Sequence, residues 1–108
     1  MGHVGDGASH AAVGQSVDPE GTLVISISGE LDMSNAETIE AWLATFGRAA
    51  IDVDMSGVTF FDAAALRALL TVAKRNPNMR LVKASSSVQR VLDLTGTTGC
   101  LVEGTTFS

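Results

Sequence analysis

From Gly21 onward the apolar residues fall in a pattern whose period changes along the chain. Over Thr22–Ser28, Leu23, Ile25 and Ile27 alternate with Val24, Ser26 and Ser28. This two-residue period predicts a strand with one buried face. Gly29–Asp32 is expected to break it. Ser34-Asn35-Ala36-Glu37 has the spacing of a capping box, with Ser34 accepting from a free amide and Glu37 reaching back. Ala36, Ile39, Leu43 and Phe46 follow at spacings of three and four, one face of a helix for which Gly47 is a natural C-cap.

Ala50–Met55 returns to alternation, with Ile51, Val53 and Met55 on one face and Asp52 and Asp54 on the other. Ser56-Gly57 reads as a turn and Val58–Phe61 as an apolar connector. Asp62 suits the N-cap of a helix over Ala63–Arg75, with Leu66, Leu69, Leu70 and Ala73 as its stripe. Asn76-Pro77-Asn78 stops that helix. Met79–Ala84 is a third clear strand. Ser85–Ser87 caps a short helix carrying Val88, Val91, Leu92 and Leu94, which Gly96 ends. Cys100–Glu103 is a last short strand.

Residues 1–20 are small and polar and read as a loose tail, in which Ala11–Val17 suits a weak edge strand. Residues 21–108 then form one α/β domain in the order β-α-β-α-β-α-β. The expected architecture is a mostly parallel central sheet of about four to five strands with three helices.

Composition narrows the class. The chain has 108 residues, 45% of them hydrophobic, which is enough for a core. Its formal net charge is −5, unsuited to displacing counterions from nucleic acid or to holding an anionic membrane. One cysteine, Cys100, excludes an internal disulfide and points to a reducing compartment. No apolar run reaches the roughly 18 residues of a membrane span. The N-terminus lacks the basic and apolar segments of a signal peptide. A cytoplasmic protein is the expectation.

Enzyme machinery is hard to assemble from these residues. Both histidines, His3 and His10, lie in the tail, so no Ser-His-Asp or Cys-His site and no metal set can be named. Gly96-Thr97-Thr98-Gly99 has no following lysine and comes after a helix, unlike a phosphate loop. No enzyme activity, metal or cofactor is expected. Glu30 and Asp32 flank a strand end and could act as paired carboxylates, but capping and turn formation explain Asp32 and Asp62 well. Asp52 and Asp54 imply that one face of their strand is exposed or that Asp54 lies at its end. Ala63-Ala64-Ala65 opens a helix with a flat surface and no nucleophile.

Three segments together resemble the STAS family, the domain of anti-sigma factor antagonists (anti-anti-sigma factors). They are Ser28-Gly29-Glu30-Leu31-Asp32 with Asn35-Ala36, then Asp54–Asp62 running into Leu66-Arg67-Ala68-Leu69-Leu70, then Val88–Gly96. The resemblance spans roughly residues 21–103. It implies a bacterial partner-switching protein that binds an anti-sigma factor, often a kinase-like ATPase, and so frees a sigma factor to regulate transcription. It also implies a phospho-acceptor serine just after the aspartate that opens the second main helix. A phosphate there adds roughly −1.5 to −2 charges and breaks the interface.

This chain departs from that pattern. Where the family reads Asp-Ser-Ser/Thr-Gly-Leu, it reads Asp62-Ala63-Ala64-Ala65-Leu66. Ala63 cannot be phosphorylated. Three explanations stand: a constitutive antagonist, a switch elsewhere (Ser56, Thr59 or Thr95), or an engineered change. The family's usual last helix is also not expected before Ser108. By the resemblance the partner surface comprises Glu30, Asp32, Asn35, Ser56, Thr59, Asp62, Ala63, Ala64, Leu66 and Arg67. The alternative role that the resemblance offers is a STAS subunit of an ABC-type lipid transporter.

Overall fold

Alternation in the sequence becomes a sheet with one apolar face. The structure, a computed structural model, describes residues 2–3 and 11–97. Its elements are β1 (Gly2–His3), β2 (Ala11–Val17), β3 (Leu23–Leu31), α1 (Ala36–Ala44), β4 (Ile51–Phe61), α2 (Ala63–Arg75), β5 (Met79–Ala84) and α3 (Ser86–Thr95). The sheet order is β1-β2-β3-β4-β5. The core strands β3, β4 and β5 run parallel, because a helix returns the chain to the same end each time. This is the α/β architecture with three helices that the pattern predicts.

Ala11–Val17 forms a full strand, antiparallel to β3 over all seven of its residues. A tight connection makes that possible: the Asp18 carboxylate accepts hydrogen bonds from the Glu20 and Thr22 amides at 2.8 and 2.9 Å. Ala11 is buried with the core.

Ile25, Ile27, Ile51, Val53, Met55 and Leu81 are fully buried on one side of the sheet, in one cluster with Ile39, Leu43, Leu69, Val72, Val88 and Leu92 of the helices. α1 packs on α2, and α3 packs on β4. The opposite side carries Ser26, Asp52, Asp54 and Arg80, half-buried or exposed. Asp52 accepts an ion-paired hydrogen bond from Arg80 at 3.1 Å. The two aspartates are therefore explained by an open face, not by a strand end.

Four expectations change. β3 does not break at Gly29; it continues to Leu31, with Gly29 at φ +92°, a conformation that suits only glycine. Ser56–Phe61 is neither turn nor connector but the second half of an eleven-residue β4. Ser34 and Glu37 form no capping box: Asn35 is the N-cap of α1 and makes no side-chain cap bond. Ser34 instead donates from N and Oγ to Asp32 at 2.9 and 2.5 Å. Leu94 leaves the buried stripe of α3 and is 79% exposed.

The other caps hold. Asp62 accepts from the Ala65 amide at 3.0 Å and Ser85 from the Val88 amide at 3.3 Å, while Gly96 closes α3 in the left-handed conformation. α1 itself ends at Ala44 with Thr45 as its C-cap, and the turn beyond reaches Gly47 at φ +63°. Asn76, buried, donates to the Ala49 carbonyl at 2.9 Å and so ties the end of α2 to the start of β4. The strand expected at Cys100–Glu103 lies outside the described residues.

Candidate partner-binding surface

Parallel pairing brings the C-terminal ends of β3 and β4 side by side. Glu30 lies opposite Phe60 and Leu31 opposite Phe61. The Asp62 amide then donates to the Leu31 carbonyl at 3.3 Å. The β3–α1 loop and the first turn of α2 thus form one edge. In open α/β sheets, the carboxyl ends of the strands are where ligands and partners meet the fold.

At the helix start, Ala63 and Arg67 are exposed and Ala64 is half-buried. Leu66 is only 8% exposed and belongs mainly to the core, so it offers a partner little surface. Asp62 is occupied in capping, through its bond from Ala65.

The loop residues divide into surface and support. Asn35 is 2% exposed. Its Oδ1 accepts from the Asp32 amide at 3.1 Å and its Nδ2 donates to the Glu30 carbonyl at 2.9 Å. It holds the loop rather than facing outward. Asp32 gathers the backbone and hydroxyl of Ser34, while the Glu30 side chain is exposed.

Ser56 and Thr59 sit on the outer half of β4 and are exposed. Ser56 donates from N and Oγ to Asp54 at 2.9 and 2.7 Å. Burial pushes the Asp54 carboxyl up, but the two bonds from Ser56 and the nearby Lys83 ammonium outweigh it and hold the group below its ordinary value. The Thr59 carbonyl accepts from Ser87 Oγ at 3.0 Å, which joins the start of α3 to this strand.

Two further residues belong to this edge. Met33 is 80% exposed in the β3–α1 loop, and Phe60 is 49% exposed beside Glu30. Large apolar side chains left in water next to a helix start suit a protein interface. Phe60 was hidden in an apolar run: regular alternation would place it on the buried face with Val58, and the register slip between the two turns it outward. Nothing in the local pattern singles out Met33. Among the described residues no group of His, Cys, Asp and Glu is placed to hold a metal ion, and no helix is long and apolar enough to cross a membrane.

A parallel sheet core whose strand ends present a small-residue helix start beside a polar loop is an α/β module with one candidate binding edge. The comparisons give its family. A family model described as "Mlab, STAS domain" matches residues 16–103, and the chain belongs to the STAS domain family. The fold is similar to the crystal structure of an anti-sigma factor antagonist from Mycobacterium paratuberculosis, at 24% identity and a TM-score of 0.70, over 83% of each chain. It is also similar to the anti-sigma factor antagonist SpoIIAA in its unphosphorylated form, at 22% identity and a TM-score of 0.67, over 84% of this chain and 86% of that one. No curated protein matches. At these identities the structural likeness speaks for the fold.

Proposed function

We propose that this chain is an anti-sigma factor antagonist that acts by binding, without catalysis of its own. Its partner is an anti-sigma factor of the kinase-like ATPase type, and the complex releases a sigma factor. The observation that carries this reading is the outward-facing Ala63 on the first turn of α2, flanked by Arg67 and sharing its edge with the exposed Met33 and Phe60. A methyl group there lets a partner backbone approach closely. It also removes the hydroxyl on which a phosphate switch would act, so binding through this position is constitutive.

The test is affinity for the anti-sigma partner with and without a charge at the helix start. Ala63→Glu places a desolvated carboxylate in the contact and is expected to weaken binding at least about tenfold, with the thermal melt little changed because the site is exposed. Equal affinity for both chains would remove the interface from this edge.

The hydroxyl-free run Ala63-Ala64-Ala65 also favours a second reading, a STAS subunit of an ABC-type lipid transporter, which needs no phosphorylation at this turn. Co-purification with an ATPase and a membrane partner, insensitive to a sigma-factor competitor, would select it.

A further inference from the structure

The two flanks of α2 differ in charge. Away from α1, an open groove of about 570 Å³ runs from Ala63 to Lys74, lined by Leu66 and Leu70 and by the cations Arg67 and Lys74. On the α1 side lies a groove of about 350 Å³ lined by Glu37, Glu40, Ala41, Ala44 and Arg75. Among the described residues, Glu37, Glu40, Arg67 and Lys74 have no ion-pair partner. Two cations thus edge an apolar groove, and two carboxylates stand on the neighbouring helix.

We propose that this helical face joins two copies of the chain, with α1 of each seated in the α2 groove of the other. Size and shape agree with that occupant. α1 has nine residues, about 13 Å of helix, and the groove from Ala63 to Lys74 is about 17 Å long. Ala41 and Ala44 are exposed and small, so the face bearing Glu37 and Glu40 can approach closely. Both features belong to one helical layer, so a twofold axis makes the contact twice. Exposed ion pairs are individually weak, and the dimer is accordingly weak and reversible. Ala63 lines the groove, so the dimer covers the helix start. Self-pairing therefore competes with any partner that uses this helix start.

Sedimentation velocity on the full chain tests this without any other protein, so its outcome is separate from the anti-sigma reading. A monomer–dimer equilibrium is expected to appear as the chain is concentrated from about 10 µM to 1 mM, which spans weak association free energies. Arg67→Glu/Lys74→Glu and Glu37→Lys/Glu40→Lys are each expected to stay monomeric, and an equimolar mixture of the two to dimerise again. Arg48→Glu/Arg90→Glu makes the same change in net charge as Arg67→Glu/Lys74→Glu, on exposed residues outside both grooves, and should dimerise like the parent. A circular-dichroism melt checks that each variant is folded. If a reversed variant does not fold, Arg67→Gln/Lys74→Gln takes its place, with about a tenfold weaker dimer expected. A parent chain monomeric throughout, reversed variants that still pair with themselves, a mixture that stays monomeric, or a control equally disrupted would each overturn the proposal.

Discussion

Among the described residues, β4 is paired on both sides over Ile51–Asp54, with β5 alone at Met55 and only with β3 over Gly57–Phe61. In the first half Ile51, Val53 and Met55 are buried and alternate with half-buried aspartates. In the second half only Val58 and Phe61 are buried, and Ser56, Gly57, Thr59 and Phe60 are exposed. The register against β3 slips twice there, so that β4 spends extra residues between Asp54 and Gly57 and between Val58 and Phe60. Between two neighbours β4 keeps its period of two, and the one slip there falls on β5, between Leu81 and Lys83. Released from one neighbour, it bulges, twists and turns side chains outward. The regular half builds the core, and the irregular half delivers α2 to the edge where the candidate surface lies.

The sharpest way to break this contrast is truncation in each half. Ile51→Ala should cost about 3 kcal/mol, the usual loss for a fully buried aliphatic side chain. Phe60→Ala should change stability by less than about 0.5 kcal/mol, since the ring is largely in solvent. Denaturant unfolding of both variants checks the pair, and equal losses would mean that the outer half is as much core as the inner. Gly57→Ala comes next. A Cβ there would lie 2.9 Å from Ser28 Cβ, so β3 and β4 must move apart, at about 2 kcal/mol. Asp62→Ala removes the cap of α2 and should cost about 1 kcal/mol in the same assay.

The smallest effect is at Asp54. Its folded pKa lies below the unfolded value, so its contribution is fully present above about pH 4 and fades as pH falls through the lowered value. Asp54→Asn should therefore trail the parent slightly at neutral pH, and the gap should close on acidification. A gap that widens toward low pH would reverse the sign of that coupling.

The same contrast explains what was legible in the sequence. Ile25 with Ile27 keep a regular register against β2, and Ile51 with Val53 against β3, and their alternation reads directly. The stripe of α2, the cap at Asp62 and the stop at Gly96 are local chemistry and read equally well, although Leu70 and Ala73 are only half-buried. Ser56–Phe61 was illegible as a strand because two bulges erase the period on which strand recognition rests. At the candidate edge, the helix start at Ala63 was visible from its position after Asp62. Asn35 was legible as a residue of this loop but not as its brace: it is 2% exposed and holds the loop through both ends of its amide. Met33 and Phe60 needed coordinates, since only the folded chain shows that they stay in water.

The hydrogen bond from the Asp62 amide to the Leu31 carbonyl has a consequence for association kinetics. With Asn35 bracing Glu30 and Asp32 from below, the loop and the first turn of α2 move as one tile. A partner arriving there orders few backbone torsions, so most of the entropic penalty of fixing this edge was met during folding. Affinity for such a preset surface is governed by how long the complex lives, and a single side chain at Ala63 can shorten that lifetime without slowing the encounter.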